Sequence, residues 1–121
     1  MGRSVLIVDD DPALTVGVAV RLEASGYDVL AANDVPSGVT KARYEGPDVI
    51  LLDLGLPGGG GMVVLEQLQA DPETRDIPII VMSARHKSEG QAAVEAGADV
   101  FLQKPVENRR LLYALNSLID G

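Results

Sequence analysis

Cysteine is absent from this 121-residue chain, and with it disulfides, thiolate zinc sites and cysteine nucleophiles. Such a chain suits a reducing compartment. Tryptophan is absent too, and aromatic residues make up 3%, so Val, Leu, Ile and Ala must fill the core. The single histidine, His86, has no Ser or Cys positioned to share a triad and reads as a surface residue near a helix start. Positive charge is scarce: ten Lys and Arg face eighteen Asp and Glu, for a formal charge of -8. A uniformly acidic domain repels phosphate backbones, which excludes direct DNA or RNA binding and favours a basic partner or a bound cation. Long apolar runs are missing as well. Val5–Val8, Val49–Leu52 and Ile79–Met82 are far too short to span a bilayer. The first of them meets Asp9 at once, so there is no signal-peptide apolar region, and Leu6 stands where a myristoylation motif wants Ser or Thr. The expectation is one cytoplasmic domain spanning residues 1–121, with no membrane insertion.

What is present is a regular alternation of short apolar runs and amphipathic segments. Ser4–Val8 is a continuous apolar run rich in β-branched residues, the mark of a strand buried on both faces. Asp11 then serves as N-cap and Pro12 as first helical residue, with Leu14, Val18 and Leu22 on one face and Gly26 as the stop. Asp28–Ala32 is a second strand. Pro36 opens a second helix that Gly46 and Pro47 end. Asp48–Leu52 is a third strand with Asp53 at its carboxyl end. A glycine-rich loop runs from Leu54 to Gly61, and Met62 to Ala70 gives a helix with Met62, Leu65 and Leu68 inward. Asp71 to Asp76 is a polar connection. Pro78–Met82 is a fourth strand, followed directly by Ser83. Ser88 to Ala96 is a short helix ended by Gly97, and its Gly90 weakens it by roughly 1 kcal/mol relative to Ala. Asp99–Gln103 is a fifth strand, followed by Lys104 and Pro105. The last helix presents Leu111, Leu112, Leu115, Leu118 and Ile119. Strict (βα)5 order predicts right-handed crossovers and a flavodoxin-like, doubly wound, five-stranded parallel sheet covered by helices on both faces.

The polar residues that follow the strands form one constellation. Asp9 and Asp10 follow the first strand, Asp53 the third, Ser83 the fourth and Lys104 the fifth. Ligands of open α/β sheets bind at the carboxyl ends of the strands, where the strand order switches. With order 2-1-3-4-5 the switch lies between the first and third strands, so Asp9, Asp10 and Asp53 would face one another. Three adjacent carboxylates repel, and a cation relieves them. An oxygen-only ligand set suits a hard ion, Mg2+ first and Mn2+ as a substitute. An aspartate can also act as nucleophile and form an aspartyl phosphate. Taken singly, each residue has a plainer role, Asp as turn or cap, Ser as turn residue, Lys as solvated side chain. Their convergence on one sheet edge favours a shared site. Gly58–Gly61 is no Walker loop, because no Lys-Ser/Thr pair follows it.

The stretches VLIVDDDP, VILLDLGLPGGGG, IIVMSA and FLQKP resemble, in order and spacing, the successive motifs of bacterial response-regulator receiver domains. The resemblance covers essentially the whole chain. It implies that Asp53 is the phosphoacceptor, that Asp10 ligates Mg2+ directly and Asp9 mainly through water, and that the carbonyl of Gly55 completes the protein ligands. It implies that Lys104 and Ser83 contact the phosphoryl group, that Phe101 rotates inward when Ser83 moves, and that the Lys104–Pro105 bond is cis. The phosphoryl group would come from a sensor histidine kinase or a histidine phosphotransfer protein, and the switched face would act on a downstream effector domain or protein. Such a chain is a regulatory phosphoacceptor and not an enzyme, beyond its own phosphotransfer and dephosphorylation. Gly55 and Arg85, two residues after Asp53 and Ser83, depart from bulkier or different residues that help set the phosphoryl lifetime in such domains. Gly55 is expected to leave the site open to water.

Val16 and Val20 lie opposite Leu14, Val18 and Leu22 on the first helix. An apolar helix all round is usually buried, yet this one should lie outside a small domain, so Val16 and Val20 are expected to form a partner surface. Three other classes compete. An Asp-nucleophile phosphatase wants an acid two residues after its nucleophile, which Asp9 and Asp11 satisfy, but no cap insertion is present. A flavodoxin-type cofactor binder would place Ser, Thr or Gly where Asp9–Asp11 stand. A degenerate, interaction-only receiver would not keep the full acidic set with Ser83 and Lys104.

Overall fold

The computed structural model describes residues 2–84 and 87–119. The expectations for Arg85 and His86 lie outside the described residues. Five strands form one parallel sheet: β1 (Ser4–Val8), β2 (Asp28–Ala32), β3 (Val49–Asp53), β4 (Ile79–Ser83) and β5 (Val100–Gln103), in order β2-β1-β3-β4-β5. The helices between and after them are α1 (Pro12–Ala24), α2 (Val35–Glu45), α3 (Gly60–Ala70), α4 (Lys87–Glu95) and α5 (Asn108–Ile119).

The continuous apolar runs of β1, β3 and β4 are buried on both faces because alternate residues feed two cores. Leu6, Val8, Ile50, Leu52, Ile79 and Val81 point one way, packing with Val64, Leu65 and Leu68 of α3 and Ala93 of α4. Val5, Ile7, Val49, Leu51, Ile80 and Met82 point the other way, against Val18 and Leu22 of α1 and Leu111 and Leu115 of α5. Aliphatic side chains fill both layers, as the scarcity of aromatics requires.

Helix starts follow local chemistry. Asp11 accepts from the Ala13 and Leu14 N–H groups at 3.0 and 3.2 Å and caps α1. Asp34 caps α2 through Ser37 N–H at 2.9 Å, so this helix begins one residue before Pro36, which takes a first-turn position. The Ser37 bonds also lower the Asp34 carboxyl below its usual value. Asp48 and Asp99 do not join strands. Asp48 Oδ2 accepts Ser4 N–H at 2.7 Å and Asp99 Oδ2 accepts Ile79 N–H at 2.8 Å, each tying the amino end of a neighbouring strand. The ladder instead runs further at the carboxyl edge, so β3 includes Asp53 and β4 includes Ser83.

The glycine-rich segment is more ordered than a loop. Pro57–Gly59 makes a single 3-10 turn and α3 starts at Gly60, two residues before Met62. Gly58 and Gly59 have φ of 66 and 72°, which glycine adopts freely. Gly61 has a different reason. A Cβ there would lie 2.5 Å from Leu54 Cα and 2.6 Å from the Asp53 carbonyl oxygen. The start of α3 therefore rests directly on the backbone that carries Asp53.

Candidate functional site

Strand register brings the polar residues together. Val8 pairs with Leu52 and Met82 with Asp53, so Asp9, Asp53 and Ser83 emerge side by side at the carboxyl edge. Backbone bonds beyond the strands hold this edge: Asp9 N–H to Ala32 O at 3.0 Å, Leu54 N–H to Met82 O at 2.8 Å and Lys104 N–H to Ser83 O at 2.8 Å. One carboxylate oxygen from each of Asp9, Asp10 and Asp53 falls within 4.8 Å of the others. Asp9 and Asp53 are 2% and 5% exposed, whereas Asp10 faces solvent.

Lys104 Nζ reaches Asp9 Oδ2 and Asp53 Oδ1, both at 3.3 Å. Among the described residues, one ammonium bridging this three-carboxylate cluster leaves an excess of two negative charges when all are ionised. The remaining help comes from backbone dipoles. Asp11 N–H donates to Asp9 Oδ1 at 2.9 Å, and Gly55 N–H donates to Asp53 Oδ1 at 2.9 Å. Burial pushes the Asp9 carboxyl above its usual value, the Asp11 N–H opposes that, the Asp53 charge adds to it, and Lys104 pulls back. The donor set is therefore all oxygen, short of positive charge and open on the Asp10 side. That chemistry suits a hard divalent cation.

Ser83 is buried at the end of β4, beside the cluster. Gly55 is exposed next to Asp53, and a Cβ there would lie 3.2 Å from Asp53 Oδ1. The Lys104–Pro105 peptide is cis. Phe101 stands apart from the carboxylates, on the α4 side of β5 and partly buried against that core layer. Val16 and Val20 also stand apart, 63% and 60% exposed on α1. Val16 does border a cavity of about 430 Å³ beside Asp9 and Asp10, walled further by Thr15, Asn33, Ser37 and Lys41. Sequence reasoning missed those residues, because nothing in a lone Thr, Asn or Lys on neighbouring elements marks a shared wall. It also missed what Gly90 touches, which no local pattern encodes.

The model of the response regulator receiver domain family matches residues 5–116 of this chain. Protein PilH of Pseudomonas aeruginosa is 36% identical over 118 residues, covering 97% of this chain and 98% of PilH. The phosphate regulon transcriptional regulatory protein PhoB of Escherichia coli is 33% identical over 120 residues. That match covers 98% of this chain but 52% of PhoB, so the chain spans about half the length of several curated relatives it matches. Among solved structures, a CheY-like receiver domain protein from Methanospirillum hungatei superposes with a TM-score of 0.89 at 30% identity, covering 99% of this chain and 95% of that one. The receiver domain of sensor histidine kinase PA1611 from Pseudomonas aeruginosa superposes with a TM-score of 0.91 at 27% identity, over 100% of both chains. That structure holds a magnesium ion in its active-site cleft.

The charge excess has a measurable cost. Asp9 titrates higher folded than its usual 3.8, so its ionisation works against folding. The penalty is nil below the unfolded value, grows as pH rises from there, and is complete above the folded value. Metal-free Asp9→Asn protein, which keeps an acceptor for Asp11 N–H, should therefore melt a few degrees above the parent at pH 7. The gap should close as the pH approaches 3. Calorimetry in EDTA checks this, and a lower melting point for Asp9→Asn at pH 7 would refute a destabilising charge excess.

Proposed function

We propose, for a chain that belongs to the response regulator receiver family, that Asp53 accepts a phosphoryl group and that the added charge switches the face made by α4, β5 and α5. The chain is a regulatory phosphoacceptor in phosphorylation-switched signalling. The observation that carries the assignment to Asp53 is its position: nearly buried, within 4.8 Å of Asp9 and Asp10, and 3.3 Å from Lys104.

Asp9, Asp10 and Asp53, with the Gly55 carbonyl, would hold Mg2+, or Mn2+ in its place. When bound, the ion offsets the charge shared by the carboxylates and the incoming phosphoryl oxygens. The other steps belong to the chain. Gly55 N–H and Lys104 both engage Asp53 Oδ1, which leaves Oδ2 as the attacking oxygen. A bond forms from Oδ2 to phosphorus while the donor's N–P bond breaks. The donor is a phosphohistidine of a sensor histidine kinase or histidine phosphotransfer protein, and its ring leaves as neutral imidazole when the other ring nitrogen carries the proton. Lys104 and the Ser83 hydroxyl then hold phosphoryl oxygens. As Ser83 moves toward them it vacates space, which Phe101 on the adjacent strand can fill. Output passes to an effector domain of the same protein or to a separate effector protein.

Two local features tune this reaction. Gly55 places no side chain over Asp53, so water reaches the aspartyl phosphate readily. Val16 and Val20, four residues apart and exposed, form an apolar stripe on α1 beside the cavity at Asp9 and Asp10, and we assign it to docking of the phosphodonor.

Incubation with acetyl phosphate and Mg2+ should give one phosphoryl adduct by intact mass, absent with EDTA and absent in Asp53→Asn. An unchanged adduct in Asp53→Asn would move the phosphoacceptor elsewhere. Gly55→Met should lengthen the aspartyl-phosphate lifetime severalfold, followed by loss of the adduct after donor removal; an equal lifetime would show that position 55 does not gate water. Val20→Lys should keep its reactivity with acetyl phosphate yet lose about tenfold or more in transfer rate from the phosphorylated protein donor. Equal loss with both donors would mean that Val20 supports the fold rather than docking.

A further inference from the structure

Gly90 lies inside α4, buried, with no positive φ to explain it. A glycine at such a place weakens a helix relative to alanine. No turn or left-handed backbone needs it. Phe101 does. A Cβ built on Gly90 would lie 2.3 Å from Phe101 Cγ and Cδ2 and 2.5 Å from Cδ1. Real Cβ atoms do not approach so closely. Cγ is the root of the ring, so the ring cannot yield by bending its far end. It must rotate away, or α4 must move.

The ring occupies a junction. Phe101 pairs with Val81 on β4, two residues before Ser83, so it sits beside the strand that ends in the phosphoryl-contacting hydroxyl. Phe101 and Gly90 also line a groove of about 490 Å³ between α4 and α5, bordered by Val94, Val106 and Arg110. A ring seated on Gly90 is thus part of the groove wall.

We propose that Gly90 is a positioning residue of the switch: its missing side chain is the seat that holds the Phe101 ring against α4, and so sets how readily the ring leaves for the space beside Ser83. This rests on the roles given above to Ser83 and Phe101. Filling the seat with a methyl group removes the ring's place on α4. The inward position remains, and the switched state becomes easier to reach. The same methyl group improves the helix, so stability and switching respond separately. A glycine kept merely for packing would not couple the site to the ring.

Phe101 is the only phenylalanine of the chain, so incorporation of 4-fluorophenylalanine gives a single fluorine NMR signal. Beryllofluoride with Mg2+ serves as a stable stand-in for the phosphoryl group on Asp53. In Gly90→Ala the fluorine signal of the ligand-free protein should move toward the position it takes in the beryllofluoride-saturated parent. The beryllofluoride concentration at half-saturation, followed on backbone amide signals, should fall by about threefold or more. In a Phe101→Ala background, Gly90→Ala should leave that midpoint unchanged. An unmoved fluorine signal overturns the proposal, and so does an equal midpoint change in both backgrounds. Should Gly90→Ala fail to fold, recovery of folding in the double variant supports the contact and failure to recover overturns it. A parent that ignores beryllofluoride would refute the phosphoacceptor reading instead, while the ligand-free fluorine signal would still test the seat.

Discussion

Two carboxylates are buried at the carboxyl edge of a parallel sheet with one ammonium between them, and most of the molecule's arrangement answers to that fact. A sheet covered on both faces brings its strand ends into a dry environment, and β1 and β3 continue into Asp9 and Asp53 there. Burial of a charge without full compensation is costly. Lys104 shares itself between the two at 3.3 Å, too long and too divided to cancel both. Backbone N–H groups of Asp11 and Gly55 supply part of what is missing. The balance leaves the carboxylates short of positive charge, a setting that suits a hard divalent cation. The edge is held taut by the backbone bonds from Leu54 and Lys104 to β4, so the imbalance cannot relax by letting the loops drift apart.

The path from that edge to the surface is short and runs through a helix that buries only small residues. Asp53 pairs with Met82, Phe101 pairs with Val81, and Ser83 follows these partners at the end of β4, the strand between β3 and β5. Phe101 then touches α4, whose buried residues are Gly90 and Ala93. By contrast α3 buries Val64, Leu65 and Leu68, and α5 buries Leu111 and Leu115. Small buried side chains give little contact to lose when a helix shifts. The helix beside the ring is thus held by small buried side chains, as α2 is by Gly38 and Ala42, while α3 and α5 are anchored by leucines.

Much of this was legible in the residues alone, for physical reasons. Continuous apolar runs of four residues announce strands buried on both sides, Asp9, Asp53 and Ser83 each follow one directly, and Lys104 follows the fifth strand, so their meeting needs only the strand order. Strand ends were harder to read. Asp48 and Asp99 look like first strand residues, but their side chains accept N–H groups from neighbouring strands, a contact that exists only after the sheet forms. The start of α2 was misplaced by one residue because Pro36 is a conspicuous signal, while the cap at Asp34 depends on Ser37 folding back. Phe101 could be picked out by resemblance, but its neighbour across the chain could not.

Glycine shows most clearly where one-dimensional reading runs out, because the chain uses it for opposed purposes. A run such as Gly58–Gly61 reads as a flexible turn. Its first two members do supply left-handed backbone, with φ of 66 and 72°. The other two are helical and serve closeness: a Cβ on Gly60 would meet Val35 at 3.0 Å, and one on Gly61 would meet the Asp53–Leu54 backbone at 2.5–2.6 Å. There the absence of a side chain makes the structure tighter and fixes the Asp53 backbone against a helix start. Gly90 follows the same logic one helix later, with an aromatic ring in place of backbone. Backbone does not leave such a contact without unfolding, whereas a ring can rotate out of it. Close approach at Gly61 therefore makes rigidity, and close approach at Gly90 makes a seat that can be emptied.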